Sequence, residues 1–395
     1  MRFYRQLFWI VTGIFFLWSC SHEVHKRVMV IKTNENEISP LSAAVSYKLP
    51  LNGVAVQMEV EKESHLAGPY AKYAQKYLGI QNGIIFQNTE YFRLAKVKME
   101  SVKTVDDSLT FKIMEQNIAP LSYSLSPEGF LIGINFTDFL INESIVRDSF
   151  SFARALPELQ FPDLGIKRFV GQKSESQGRT VKTDSSLIKI PYSRKQESVK
   201  TPELKAEEAA NFIFKLRKRK FKLLAGILEP AQQGLDAVPM AQKLDSIEQS
   251  YVELFTGKIV FTRDVYNFFV FPMAGKMDTL LCYFSPNEGL TTDKGHVSET
   301  EGREVWSPVF LKFKYPKTKT VSFVPDTCPG IVYREPEVIE TGLFINDRPL
   351  IEKRMRFSQL GKIKSIPEKY LLNQDYSIEF FQETGALKRL DKKNK

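Results

Sequence analysis

Cys20 is the residue of this chain whose surroundings most clearly specify a chemical reaction. It closes the sequence Leu-Trp-Ser-Cys at residues 17–20, after two arginines, Arg2 and Arg5, and an apolar run over residues 7–17. A basic start, a short apolar run and a small residue before the cleavage point are the features of a secretory signal peptide. A cysteine directly after the cut can accept a diacylglycerol on its thiol. The sequence therefore predicts a signal peptide over residues 1–19 and lipidation at Cys20.

The alternative for the first residues is an uncleaved membrane-spanning helix. An apolar run of 11 residues over residues 7–17 is too short for this, because a helix that rises 1.5 Å per residue needs about 20 apolar residues to cross a bilayer. The predicted link to the membrane is therefore the lipid on Cys20. The polar residues 20–40 that follow are expected to form a tether.

Two further thiols, Cys282 and Cys328, remain after Cys20 is lipidated. An oxidising compartment would permit a disulfide between them, and both fall in the same predicted β region. The alternative is two separate buried thiols. We favour this alternative because free cysteine is among the most buried residue types.

Other chemistry-bearing patterns are missing from the sequence. The chain has four histidines, His22, His25, His65 and His296. They are expected in the tether or in loops, and none has the spacing of a zinc site. The chain also lacks a nucleophile elbow and a phosphate-binding loop. Paired carboxylates such as Glu59 and Glu61 are expected on the solvated face of a strand. We therefore predict no catalytic residue, no metal and no cofactor, and we regard an enzyme as less favoured than a binding protein.

The positive charge of the chain is concentrated in one segment. The net charge of +9 falls to +7 when Arg2 and Arg5 leave with the signal peptide, and residues 193–222 hold ten Lys or Arg against four Glu. Such a run can bind nucleic acid, but an exported protein meets none. The favoured interpretation is a solvated face of a helix.

Hydrophobic periodicity divides the mature chain into β and helical regions. Residues 41–136 are predicted to form an N-terminal β domain, because Val54, Val56, Met58 and Val60 alternate with polar residues as in a strand with one buried face. Residues 68–79 predict one short helix inside it, whose tyrosines are expected to pack on a sheet. Residues 137–200 carry few periodic signals and are predicted to be an insertion or linker.

Residues 201–257 predict a helical hairpin. Thr201 and Pro202 have the residue types of a helix N-cap and first turn, and Lys220 is expected to extend its amine from the apolar face to water. The predicted buried stripes are Ala209, Ile213, Leu216, Leu223 and Ile227 on the first helix and Met240, Leu244, Ile247, Tyr251 and Leu254 on the second.

Residues 258–395 predict a C-terminal β domain. Short apolar runs recur there between Gly, Pro and Asn-Asp turn residues, which is typical of a sandwich or barrel. The predicted fold class is α+β, mainly β, with two antiparallel β domains, sandwich or barrel-like, linked by a helical hairpin.

Five segments carry a resemblance to a known family. They are AGPYAKYAQKYLG at residues 67–79, ELFTGK at 253–258, GIVYREP at 330–336, LGKIKSIP at 360–367 and TGALK at 384–388. In this order they resemble the domain of unknown function 4831 family, over roughly Tyr47 to the C-terminus. The resemblance implies a lipoprotein of the Bacteroidetes cell envelope. It implies no established activity, ligand or catalytic residue.

These observations favour a non-enzymatic lipoprotein that binds or braces another envelope component. A glycan-binding lipoprotein is the second hypothesis, since aromatic residues can stack on sugars, and an envelope hydrolase is the third. Surface-exported lipoproteins of this phylum resemble one another in an acidic run after the lipidated cysteine, whereas residues 21–27 hold one acid among several bases. We therefore expect the periplasmic face of the outer membrane.

The anchor gives a direct prediction. Cys20→Ala removes the thiol that would carry the lipid, so the protein should lose its acyl label and no longer stay firmly with membranes through a high-salt wash, because firm anchoring needs acyl chains. Radiolabelled palmitate and cell fractionation measure both effects. A variant that keeps the label and stays with membranes would contradict the lipoprotein interpretation.

Overall fold

The structure is a computed structural model that describes residues 26–33, 45–136, 161, 169–183, 186–227, 237–300, 302, 304–315, 325–372 and 374–393. The predicted signal peptide, Cys20, His22 and His25 lie outside these residues, as does the strand expected near residues 320–324. The predicted α+β, mainly β fold class is confirmed, and the described strands form open antiparallel sheets without a closed barrel. None of the described helices is long and apolar enough to cross a bilayer.

Three sheets and one hairpin contain the described strands. The first sheet has the order β12 (Thr327–Pro329), β1 (Arg27–Thr33), β3 (Thr89–Gln116), β2 (Ser46–Leu66) and β8 (Lys258–Val270). The second has the order β10 (Gly289–Thr291), β9 (Asp278–Ser285), β11 (Ser307–Lys314), β13 (Ile331–Ile345) and β14 (Arg348–Ile366). The third has the order β16 (Leu387–Lys392), β15 (Tyr376–Phe380), β5 (Leu131–Ile134) and β4 (Tyr123–Leu125). The hairpin pairs β6 (Phe169–Thr183) with β7 (Ser186–Val199).

Helices are fewer among the described residues. They are α1 (Ala74–Leu78), α2 (Pro202–Leu224), α3 (Ala237–Thr256) and α4 (Lys294–Thr300), with 3-10 turns at Ala71–Tyr73 and Glu368–Tyr370.

The sheets do not follow the two β domains expected from sequence. Strands β12 and β8, from the predicted domain at 258–395, pair in one sheet with β1, β3 and β2, and the third sheet likewise joins β4 and β5 to β15 and β16. The expected insertion at 137–200 contains the β6–β7 hairpin. Sequence periodicity identifies strands but not their partners, which is why the division at 136 and 258 does not correspond to separate sheets.

The predicted tether is also corrected. Within residues 20–40, β1 pairs with both β3 and β12. Its Val28 and Val30 are fully buried in an apolar core, since alternate side chains of a strand share one face. The chain therefore enters the core from Arg27 onward.

The helical hairpin is present, with part of its predicted stripes shifted. Thr201 Oγ1 accepts a hydrogen bond from the backbone N–H of Leu204 at 3.3 Å, which confirms the N-cap. However, Ile227 and Ile247 are exposed. Lys220 does not simply reach water: its amine lies 2.5 Å from Asp245 Oδ1 and 3.2 Å from Glu248 Oε2 on α3.

The short helix after residue 68 packs on the helical hairpin rather than on a sheet. Tyr70 N donates to Leu254 O at 2.8 Å, and its ring lies 5.5 Å from that of Phe255. Tyr70, Tyr73 and Tyr77 all pack against a small apolar cluster built from α2 and α3. The expected sheet contact is therefore wrong, because the hairpin occupies that side of the helix.

The first and second sheets face each other across two apolar cores, and the third sheet adds Ile134 and Phe380 to one of them. One core contains Tyr47, Phe111 and Ile331, and the other contains Val56, Met99 and Phe357. Strands β2, β3, β13 and β14 contribute to both cores. The elongated body is therefore a continuous pair of facing sheets with the helical cluster at one end.

A buried polar layer lies along β2 between these cores. Asn52, which is buried, accepts a hydrogen bond at Oδ1 from the backbone N–H of Ser358 (3.0 Å) and donates from Nδ2 to Glu383 O (2.8 Å). The side chain of Gln359 pairs with both backbone groups of Asn52, at 3.0 and 2.7 Å. Asn52 thus links β2, β14 and the turn before β16.

Asn52→Ala should destabilise the fold, because it leaves buried partners without hydrogen bonds, each at a cost of about 1–3 kcal/mol. The free energy of unfolding from urea titration measures the effect. Gln57→Ala, at the half-buried position that directly follows the buried residues 52–56 of the same strand, is the matched control and should change it by less than about 0.5 kcal/mol. Equal losses in the two variants would contradict the bridging role.

Candidate functional site

The outer face of the first sheet, opposite its core, gathers charged and aromatic side chains at the helical end of β2. Cross-strand register places Arg93 of β3 and Arg263 of β8 on either side of Glu61, and Tyr91 and Phe261 on either side of Glu63. Side chains that are aligned across a sheet lie on the same face. We call this surface the Glu61 face; its members are Glu61, Glu63, His65, Tyr91, Arg93, Phe261 and Arg263.

Glu61 is the buried centre of this face. Its side chain is 5% exposed, whereas those of Arg93 and Arg263 are 70% and 66% exposed. Arg93 Nε donates to Glu61 Oε1 at 2.8 Å with a second bond from Nη2, and Arg263 Nε donates to Oε2 at 3.0 Å. The expectation of a solvated carboxylate is therefore wrong for Glu61, because two neighbouring strands supply arginines that cover it.

These contacts fix the charge of Glu61. Hydrogen bonds from Arg93 and then Arg263 hold the pKa of the Glu61 carboxyl below its ordinary value, although burial opposes them. Hydrogen bonds to the charged form favour that form. An ionised carboxylate with two cations carries a net positive charge, and each guanidinium still has N–H groups that can donate to a ligand.

A second part of the face is aromatic. His65 Nε2 lies 2.7 Å from Glu63 Oε1, and its ring meets the edge of Tyr91 at 5.6 Å between centroids. Tyr91 and Phe261 are each about half exposed, and Ile259, which pairs with His65, is exposed to a similar extent. Adjacent exposed apolar side chains rimmed by charges are typical of an interaction surface.

A pocket of about 580 Å³ opens on the second sheet, at Gly342. A side chain at Gly342 would clash, since a Cβ there would lie 2.6 Å from the Phe344 ring. Glu340 at its rim binds Lys314 at 3.2 Å and Arg354 at 3.3 Å. The hydrogen bond from Lys314 is the main reason that the pKa of Glu340 lies below its ordinary value.

The ionised Glu340 bears on the hydrolase hypothesis. A glycosidase needs one carboxyl that stays protonated until it donates its proton, and a lowered pKa is the opposite of this requirement. Among the described residues, no group of three or more His, Cys, Asp or Glu could hold a metal ion.

Cys282 and Cys328, for which the sequence allowed a disulfide but favoured two separate buried thiols, lie apart in the structure. Both are free and buried, Cys282 in one apolar core and Cys328 in the other. Burial raises the pKa of the Cys282 thiol to about 12 and also raises that of Cys328. A buried thiol with a raised pKa is a poor nucleophile. Neither cysteine contributes to the Glu61 face.

Histidines lie elsewhere than expected. His65 belongs to β2 and His296 to α4, not to loops, and each contacts one glutamate.

Sequence reasoning did not identify Arg93 and Arg263. Residues 59–63 carry mainly acidic charges and residues 93–98 carry basic ones. This signal indicates ion pairs only once the strand register is known.

Comparison with known proteins identifies the family. The model for a domain of unknown function, DUF4831, matches residues 43–149 and 182–388. The chain belongs to the domain of unknown function 4831 family. The matched regions include every residue of the Glu61 face and of the Gly342 pocket, so both surfaces lie within the family domain. No curated protein and no solved structure matches the chain.

Glu61→Gln should lower the melting temperature at neutral pH, because the arginines lose a charged partner. A carboxyl whose pKa is lower in the folded than in the unfolded protein stabilises the fold above its unfolded pKa, about 4.3. That stability is lost as the pH falls through the folded pKa. The difference between wild type and variant should therefore shrink in melts taken from pH 7 down to about pH 3.

Glu59→Gln, on the same strand and face, is the matched control for this prediction. Its melting temperature should stay close to that of the wild type at every pH. A Glu61→Gln difference that is independent of pH would show that the ion pairs are not its source.

Proposed function

We propose that this chain is a lipid-anchored, non-enzymatic protein of the cell envelope that binds another envelope protein through the Glu61 face. Cys20 would carry the lipid and hold the protein at the periplasmic face of the outer membrane. The observation that carries the proposal is the row of exposed Tyr91 and Phe261 beside Arg93 and Arg263 on a rigid sheet.

The composition of this face supports a protein partner. Tyrosine and arginine are enriched among the residues that dominate binding energy at protein interfaces, and they act best near the centre of a contact that excludes water. Phe261 adds exposed aromatic area next to them. The long paired strands β2, β3 and β8 hold these side chains without a mobile loop, so little ordering entropy is lost on binding.

Charge supports a specific partner. Glu61 neutralises one of its two arginines, and Glu63 faces His65, so the face presents positive and negative groups at fixed positions. Such a pattern gives register and selectivity to an interface more than affinity. A partner surface that is acidic throughout would be attracted by the two arginines but repelled by Glu61 and Glu63, so the face would select against it.

Glycan binding in the Gly342 pocket is a second candidate. The Phe344 ring lies beside Gly342, and Lys312 Nζ lies 5.1 Å from its centroid. A ring with hydrogen-bonding charges around it can stack on a sugar and bind its hydroxyl groups. Of the two phenylalanines that line the pocket, Phe313 is buried in an apolar core, which leaves the Phe344 ring where a stacking site would gain from two. This is why we rank the pocket second.

The protein-binding proposal predicts the effect of removing the aromatic pair. A photocrosslinking residue introduced at Thr89, beside the face, should capture a recurrent protein in intact cells. Tyr91→Ala with Phe261→Ala should lower that yield by about tenfold or more, because a single such residue can contribute about 2 kcal/mol to an interface. Mass spectrometry of the crosslinked product measures the yield.

Phe381→Ala is the matched control, since Phe381 is a similarly exposed aromatic residue away from this face. It should leave the yield unchanged. Equal yields in all variants would contradict the Glu61 face as the interface. If Phe344→Ala instead abolishes retention on envelope glycans, the pocket is the binding site.

A further inference from the structure

The far end of α2 carries an outward surface that the fold leaves unexplained. Its apolar members are Phe214, Phe221, Leu224 and Ile227, and its basic members are Lys215, Lys218, Arg219 and Lys222. We call this surface the α2 tip. Residues at positions i, i+4, i+7 and i+8 share one side of a helix, so Phe214, Lys218, Phe221 and Lys222 point the same way. Leu224 and Ile227 extend the surface beyond the last turn.

The apolar side chains of the tip remain in solvent. The exposed fractions are 49% for Phe214, 69% for Phe221, 65% for Leu224 and 61% for Ile227. The helix ends at Leu224, Gly226 beyond it has a positive φ of 70°, and Ile227 N donates to Lys222 O at 2.9 Å. In this type of helix end the residue after the glycine usually packs back on the last turn. Here the side chains of both Ile227 and Phe221 remain exposed to solvent.

The bases of α2 divide into two groups. Arg217 and Lys220 bind Glu248 and Asp245 on α3 and so hold the hairpin together. Lys215, Lys218, Arg219 and Lys222 are exposed, and they are not among the bases that form ion pairs between α2 and α3 in the described part of the chain. Bases near a helix C-terminus are favoured by the helix dipole. The dipole does not account for large apolar side chains exposed among them.

We propose that the α2 tip docks on an anionic lipid bilayer. Exposed aromatic and aliphatic side chains interleaved with lysine and arginine are what an interfacial helix presents: the apolar groups enter the acyl boundary and the bases bind lipid phosphates. Charge complementarity therefore identifies the occupant. The inference draws on the proposed function only in placing the chain beside a membrane, and it does not require the Glu61 face to bind a protein.

The tethered end and the helical end of the protein lie far apart along the long strands. Arg27, the first residue of β1, pairs with Gln116 at one end of β3, whereas the helical cluster adjoins the other end, where His65 pairs with Thr89. The 28 residues of β3 connect these ends, which therefore lie up to roughly 90 Å apart along the strand. A lipid at Cys20 and a docked tip would then hold the long axis along the bilayer.

The test uses the mature full-length chain with Cys20→Ala, so that no acyl chain contributes. This protein should cosediment with vesicles of equimolar phosphatidylcholine and phosphatidylglycerol, far less with pure phosphatidylcholine, and less as salt rises. Lys218→Ala with Lys222→Ala should lower the partition coefficient roughly thirtyfold, at about 1 kcal/mol per base. Phe221→Ala with Leu224→Ala should lower it by at least tenfold.

Arg356→Ala with Lys362→Ala removes two exposed bases from β14 and is the matched control, which should bind like the parent. Circular dichroism checks that every variant is folded. Failure of the parent to bind anionic vesicles would overturn the proposal, as would unchanged binding in the tip variants or an effect of the bases alone. Tyr91→Ala with Phe261→Ala should bind vesicles normally, so the two proposals fail independently. Crosslinking of the tip to a protein, without vesicle binding, would replace the lipid with a protein partner.

Discussion

Asn52 holds the two facing sheets together at a level where neither apolar core reaches. The side-chain amide of Gln359 pairs with its backbone N–H and C=O as a neighbouring strand would, and its own side chain bonds to Ser358 and to the turn at Glu383. Close by, Arg334 donates to Pro50 O at 2.7 Å and to Asp106 at 2.6 Å. Apolar packing tolerates sliding, but a buried network is satisfied in one register only. This layer therefore specifies how the sheets align.

The same layer explains why strands from both ends of the sequence share sheets. β2 and β3 pass through both cores. So do β13 and β14, which lie some 270 residues further along the sequence. Once these two long hairpins face each other, the remaining short strands find free edges: β12 on β1, and β15 on β5. Pairing is thus decided by the long hairpins. Chain order has little influence on it.

Local signals in the sequence predicted local structure well. Alternation identified the buried face of β2 through Val54, Val56, Met58 and Val60, and capping chemistry located the start of α2 at Thr201. The failures are tertiary. Ile247 fits the apolar periodicity of α3 and was therefore predicted to be buried. In the structure, Glu248 makes the contact with α2, through ion pairs with Arg217 and Lys220. β1 was missed because a seven-residue strand gives a short pattern beside polar neighbours.

The candidate site lay beyond sequence reasoning for a related reason. In the sequence, Glu61 looks like any glutamate on the solvent-facing side of a strand. Its side chain becomes buried only when Arg93 and Arg263, which are 32 and 202 residues away, align beside it. Cross-strand register creates the ion pairs, and the ion pairs orient the guanidinium groups next to Tyr91 and Phe261. The Glu61 face lies at the end of the β2–β3 ladder that is remote from Arg27, and the apolar cluster from which α2 extends adjoins the same end. A protein tethered by residues before Arg27 would thus carry the Glu61 face at the opposite end of its long strands, where a partner could reach it.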